Sequence, residues 1–303
     1  MSTANSIWRL LPREYAIPTQ APSVQQAYAY CRRLARRHYE NFSVATWFLP
    51  KPLQQHFFNV YAYCRISDDL GDETGDREAS LALLDEWEDE LNACYEGRSR
   101  HPVFVALATS IRQFDIPKET LANLLRAFRQ DQSVTRYPGF EALLEYCRYS
   151  ANPVGHLVLY LCGYRDRERQ ELSDFTCTAL QLANFWQDVS VDFGKGRIYL
   201  PLEDLRRFRV DEADIAAGDN SNEFRQLMRF EVERAREYFI RGLPLAKSVN
   251  RALALDIELF TRGGQEILNA IERQSFAVLG RRPRISKSRK LMLVARAAWH
   301  RLL

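Results

Sequence analysis

From Val24 onward, apolar positions recur about every 3.6 residues along almost the whole chain, the spacing that lines up one face of an α-helix. The pattern predicts helices over residues 24–42, 52–72, 77–96, 101–114, 117–133, 139–163, 167–193, 222–241, 244–260, 262–275 and 286–302. Punctuation supports these limits. Pro50 and Pro52 open the second helix and Pro117 the fifth, Gly97 ends the third, and Gly194 and Gly196 close the seventh. Only Arg197-Ile198-Tyr199-Leu200-Pro201 reads as extended, too short to build a sheet. Residues 1–23, with Pro12, Pro18 and Pro22, read as an extended lead-in, which leaves 24–303 as one all-α domain around a single interior.

Composition narrows the class. At 303 residues, 46% apolar and 27% charged, the chain can bury a large core and is no disordered tail, collagen-like fibre or disulfide scaffold. A net charge of +3 gives no reason to expect nucleic acid as a partner. The charge is uneven, however: residues 281–303 hold eight basic side chains and no acid. Val294, Ala297, Ala298 and Trp299 lie opposite basic residues in that tail, a pattern suited to peripheral contact with an anionic membrane. The six cysteines form no Cys-x-x-Cys pair and fall in apolar helical patterns, as buried free thiols do in a reducing compartment. Met1 to Asn5 lack a basic start followed by an apolar run, and no window nears the length of a membrane span. A cytoplasmic location is predicted, with peripheral attachment at the inner face of the membrane.

Two stretches carry candidate chemistry. In Arg65-Ile-Ser-Asp68-Asp69-Leu-Gly-Asp72-Glu73, Asp68 and Asp72 share a helix face, with Asp69 beside them. Like charges so placed call for a cation, and Mg2+ suits them because it takes hard oxygen ligands from carboxylates and substrate phosphates. Arg65, one turn earlier, is placed to pair with Asp68 or Asp69, or to meet a phosphate. Taken alone, this string is better explained as an acidic helix end in solvent. In Gln181-Leu-Ala-Asn184-Phe-Trp-Gln187-Asp188-Val-Ser-Val-Asp192, the residues Asn184, Asp188 and Asp192 recur every four positions among Phe185, Trp186, Val189 and Phe193. That context predicts a buried helix, on which carboxylates are costly without a charge partner, so a second metal–phosphate site is the better reading. Lys195 and Arg197 come directly after it, flanked by glycines, and would serve as diphosphate donors or as a basic turn closing the helix.

Together the two acidic helices and the Arg197–Pro201 turn resemble the squalene/phytoene synthase family of head-to-head prenyltransferases, from about Ala27 to Arg301. The resemblance implies the isoprenoid-synthase fold, all-α, with a central apolar cavity and acidic helices at its mouth. It places the family's first aspartate-rich motif on Asp68, Asp69 and Asp72, preceded by Tyr61 and Arg65. The second falls on Asn184, Asp188 and Asp192, with Gln181 upstream and Arg197 and Tyr199 downstream. It also implies Phe42 near a phosphate, and Asp131, Tyr146 and Gly155 at the cavity. His38–Phe42, Asp68–Glu73 and Ser150–Gly155 look most like the hydroxysqualene synthase branch, found in bacterial hopanoid biosynthesis. Gln187, where arginine is common, and Gly264, in place of a tyrosine, depart from the phytoene pattern.

The chemistry implied by this resemblance is ionisation of presqualene diphosphate on Mg2+ and capture of the cation by water, with Asn152 or Tyr146 placing that water. The partners implied are a prenyl diphosphate substrate and a functional link to an enzyme supplying presqualene diphosphate. No NADPH is expected, since no strand-borne glycine-rich loop is present. Alternatives are a sister enzyme joining two prenyl diphosphates into presqualene diphosphate, squalene or phytoene, and a non-catalytic membrane-binding helical module. Elsewhere the residues read blandly. His38 and His56 suit packed histidines, Glu86, Glu88, Asp89 and Glu90 a solvated face around Trp87, and Arg129 with Asp131 a surface pair. Arg32, Arg33, Arg36 and Arg37 form a basic face that would guide an anionic substrate or simply meet water.

Overall fold

The computed structural model describes residues 7–37 and 50–286. Helices α1 (Val24–Arg37), α2 (Lys51–Asp72), α3 (Arg77–Tyr95), α4 (Pro102–Phe114) and α5 (Lys118–Gln130) lead into α6 (Phe140–Ser150), α7 (Asn152–Leu161) and α8 (Arg167–Gly194). Then come α9 (Leu202–Phe208), α10 (Glu212–Ala217), α11 (Asn222–Gly242), α12 (Pro244–Ser248) and α13 (Arg251–Arg273). Among the described residues there is no strand, and extended pairing amounts to one parallel bridge between Arg136 and Ile198. The all-α expectation holds. The expected helix at 286–302, the basic tail beyond Ser286, His38 and Phe42 lie outside the described residues.

The chain divides into two compact units. Met1–Ser133 with His156–Arg165 form one, and Val134–Gly155 with Asp166–Leu303 the other. The first packs α1 to α5 around large fully buried rings: Trp87 sits 4.5 Å from Phe104 and 4.7 Å from His101, centroid to centroid. The Trp87 indole donates to Ser67 Oγ at 2.9 Å, which answers the polar edge that burial would otherwise strand. His101 caps α4 by accepting from Val103 N–H. Its complete burial pushes the imidazole down to about 3, so the ring is neutral. The lead-in is more than extended chain: it makes two 3-10 turns, Trp8–Leu10 and Arg13–Tyr15, and buries Trp8, Leu11 and Tyr15.

Several local expectations change. Glu90 is buried rather than solvated and accepts the N–H groups of Arg100 and His101 at 2.8 and 2.9 Å. Arg129 pairs with Asp85 and Glu88 at 2.7 and 2.8 Å instead of with Asp131, which is buried. His56 does pack as expected, bonded to Ser110 and edge-on to Phe114. The helix foreseen at 139–163 breaks at Ala151, because Pro153 has no N–H to give and its ring crowds the carbonyl four residues back. The break foreseen near residue 261 is absent. Asn250 caps α13 through Leu253 N–H, and the helix runs on through Gly263 and Gly264.

In the second unit α8 packs against α11 and α13. Close approach explains why Gly264 tolerates a helix interior: a Cβ there would collide with the Phe239 ring and come within 2.8 Å of Leu180 Cδ2. Gly155 similarly lets α7 meet α8, where a Cβ would reach 2.6 Å from Cys177 Sγ. On α13, Asp256 is buried with neither carboxylate oxygen hydrogen-bonded, and desolvation pushes it up to about 8. All six cysteines are free thiols. No helix among the described residues is long and apolar enough to cross a membrane.

Candidate active site

The first acidic stretch ends α2. Asp69 turns inward, where Tyr15 donates its hydroxyl to Oδ2 at 2.7 Å and Arg65 grips both oxygens. Its side chain is 6% exposed. Both oxygens of Asp69 are therefore engaged by the fold, Oδ1 by Arg65 and Oδ2 by Arg65 and Tyr15. Asp68 is 49% exposed, with Arg65 Nη1 at 3.6 Å, and Asp72 is half-buried one turn on. The helical period separates these neighbours: Asp69 falls on the core face with Ile66 and Leu70, Asp68 and Asp72 on its edge. Tyr61, half-buried, precedes Arg65 by one turn. Gln132 donates to the Gly71 carbonyl at 2.9 Å, which brings the end of α5, and Asp131 with it, to the acidic end of α2.

The second stretch lies on α8, and its burial differs from the expected one. Phe185, Trp186 and Val189 are buried, but Asn184 is exposed and Asp188 and Asp192 are half-buried. The four-residue spacing keeps the polar stripe off the packed face, so the helix is buried on one side only. The carboxylate partner comes from elsewhere. Arg282 places its fork on Asp188, Nε to Oδ1 and Nη2 to Oδ2 (2.9 Å for the latter), and Nη2 also reaches Gln187 Oε1 at 3.3 Å. Gln187, buried, donates to the Pro283 carbonyl at 2.6 Å.

After α8 the chain turns through Gly196 at φ +79°. The Arg197 N–H bonds the Asp192 carbonyl at 2.8 Å, holding the basic turn against the end of the acidic stripe. Lys195 is exposed and Arg197 half-buried. Tyr199 then stacks on Phe185 at 3.9 Å with 10° between the planes, and Tyr137 and Tyr146 complete an aromatic cluster within 6 Å of it. Asn152, buried on α7, accepts from Thr178 Oγ1 at 3.1 Å, and Gln181 is half-buried one turn before the stripe. Within this unit the residues from Asn184 to Tyr199 are thus contiguous with Tyr146, while Asn152 is tied to the opposite half of α8.

Three participants escaped sequence reasoning. Tyr15 and Arg282 reach their aspartates from 54 and 94 residues away, and no local pattern announces either. Arg136 forks onto Glu212 at 2.8 Å through both nitrogens and also donates to the Gly196 carbonyl, bracing the basic turn.

The squalene/phytoene synthase family description matches residues 35–289. The chain belongs to the squalene/phytoene synthase family. It is 29% identical to a 15-cis-phytoene synthase of Synechocystis, across 98% of this chain and 91% of that one. Among solved structures it is similar to the squalene synthase HpnC of Alicyclobacillus acidocaldarius, at 42% identity and TM-score 0.80, covering 89% of this chain and 99% of that one. A dehydrosqualene synthase solved with a ligand gives 26% identity and TM-score 0.83 over 92% of this chain and 98% of its own. The fold is accordingly the isoprenoid-synthase fold, and the family acts on prenyl diphosphates.

Proposed function

We propose that this family member ionises presqualene diphosphate and lets water capture the resulting cation, giving hydroxysqualene and free diphosphate. One observation carries the reading: each unit bears, at one helix end, a pair of half-exposed aspartates four residues apart, Asp68 with Asp72 and Asp188 with Asp192, next to basic side chains. These residues fit Mg2+. They offer hard oxygens, and Asp188 already accepts a cationic fork. Two carboxylates suffice for such an ion, which fills the rest of its shell with water and substrate phosphate. Asp68 and Asp72 in the first unit, and Asn184, Asp188 and Asp192 in the second, would each hold Mg2+ within their own unit, and Asp69 is engaged by the fold.

When bound, Mg2+ would neutralise the departing diphosphate. Arg65, Lys195 and Arg197 would add charge-assisted hydrogen bonds to its oxygens, strengthening as the carbon–oxygen bond breaks and the electron pair leaves with the phosphate. The stacked rings of Tyr199, Phe185 and Tyr146 offer faces that attract a carbocation without trapping it. Water then adds, and its proton passes to the released diphosphate or solvent. Asn152 or Tyr146 would orient that water, with Tyr61, Phe42, Asp131 and Gln181 contacting substrate.

A second reading, joining of two prenyl diphosphates, is favoured by the phytoene synthases among the relatives. Gln187 and Gly264 weigh against phytoene as the product: the first is held by a backbone carbonyl and an arginine, and the second is filled by Phe239 and Leu180. Purified protein with Mg2+ is to be given presqualene diphosphate, then farnesyl diphosphate, each with and without NADPH. Hydroxysqualene from the first without reductant is the expected product. Turnover of farnesyl diphosphate alone would defeat the proposal.

A further inference from the structure

The segment after α13 lies along α8. Asn220 fastens Leu279 through both its N–H, at 3.1 Å, and its carbonyl, at 2.9 Å. Ser190 on α8 donates to the Val278 carbonyl and accepts the Gly280 N–H, each at 3.3 Å. Val278, Leu279 and Pro283 are buried, and Gly280 turns the chain at φ +84°. Arg282 is thus delivered to Asp188 by a built strap and is no stray surface side chain.

The fork geometry has a chemical consequence. A guanidinium lying edge-on to a carboxylate uses the inner lone pair of both oxygens. A Mg2+ ion that takes an inner lone pair of the same carboxylate, at about 2.0–2.1 Å from oxygen, would need one of those positions, and the two cations would then compete for one edge. The pair is also easy to part, since Arg282 is 43% and Asp188 23% exposed, while the anchors at Val278, Leu279 and Pro283 do not involve the carboxylate.

We propose that Arg282 is an exchangeable counter-cation for Asp188, held there by the 278–283 strap and displaced when the metal arrives. Before loading, it removes the repulsion that Asp188 and Asp192 exert one turn apart. This rests on the reading of Asp188 as a metal ligand, and the experiment separates the two.

Full-length protein labelled with 15N-arginine is titrated with Mg2+ in the presence of inorganic pyrophosphate, with affinity followed by calorimetry and the Arg282 Nε–H resonance followed by NMR. Arg282→Gln identifies that resonance by its loss and, sitting on the surface, leaves the far-ultraviolet circular dichroism unchanged. In the unsubstituted protein the resonance is expected to leave its carboxylate-bonded position in step with metal binding. Arg282→Gln is expected to bind Mg2+ about two- to fivefold more tightly, the range set by an exposed ion pair. Equal affinities with a resonance indifferent to metal would overturn the exchange alone. Weaker binding by Arg282→Gln would overturn it too, making the arginine an orienting group. The third arm, Asp188→Asn, tests the underlying reading: binding unchanged from the unsubstituted protein removes Asp188 from the metal site, and the exchange with it.

Discussion

Two arginine–aspartate forks stand in the two acidic stretches, and they were made differently. Arg65 and Asp69 are neighbours on one helix, four residues apart, with Asp69 buried and Tyr15 bonded to one of its oxygens. Arg282 and Asp188 are 94 residues apart, both in partial contact with solvent. In the first, the arginine neutralises the aspartate that faces the core, so the acids at its edge stay turned to solvent. In the second, the arginine sits on a member of the outward stripe itself. A like pair of residues is therefore closed into the core in one unit and left open to solvent in the other. Exposure, rather than residue type, separates the two.

The two forks should part most sharply on activity. Asp188→Asn should lower product formation about a hundred- to a thousandfold with the fold intact, because the proposed reading makes Asp188 a ligand of the Mg2+ that would neutralise the leaving diphosphate. Asp69→Ala should act on stability, costing about 3 kcal/mol in urea denaturation, since it leaves the Tyr15 hydroxyl inside without an acceptor and Arg65 with only the longer contact to Asp68. A retained midpoint in that variant would erase the distinction between the two forks.

The units also differ in their buried titratable groups. His101 in the first is held at about 3, so the unfolded chain takes up a proton that the folded one refuses, and stability falls as pH drops below about 6.5. Asp256 in the second is held at about 8, so the folded chain keeps a proton that the unfolded one releases, and stability falls as pH rises from about 4 towards 8. Between pH 5 and 6.5 the two slopes oppose each other, each worth about 2 kcal/mol across that window. Asp256→Asn should leave stability rising with pH there, and His101→Asn, which keeps a cap for α4, should leave it falling. Denaturation midpoints at the two pH values check both signs. Smallest of all, Arg282→Gln should cost under about 1 kcal/mol in the same assay, the ordinary worth of an exposed pair.

Much of this architecture could be read from the chain. The 3.6-residue rhythm located α2 and α8 nearly to their ends, because long amphipathic helices repeat their signal many times over. Pro153 misled; Gly264, inside the expected 262–275 helix, did not. The proline interrupts a helix whose apolar rhythm continues unbroken around it, and the glycine sits inside one because a neighbouring ring takes the place of its side chain. At the candidate site, the spacing of Asp68, Asp72, Asp188 and Asp192 was visible, as was the chance that Arg65 would pair with Asp69. The inward turn of Asp69 and the outward turn of the α8 stripe were not, since both depend on which face a helix buries. Arg282 was legible only as one of eight tail cations; its partner is chosen by tertiary folding.

Phe239 and Gly264 divide one parcel of space between α11 and α13, and neither can be altered as though the other were absent. A phenol grafted at 264 would have to wait for a smaller residue at 239, while shrinking 239 first would open a void. Any route from this chain to a tyrosine-bearing sister thus crosses a valley of lowered stability or takes both changes in one step. That makes the pair a ratchet on divergence within the fold, acting through volume alone.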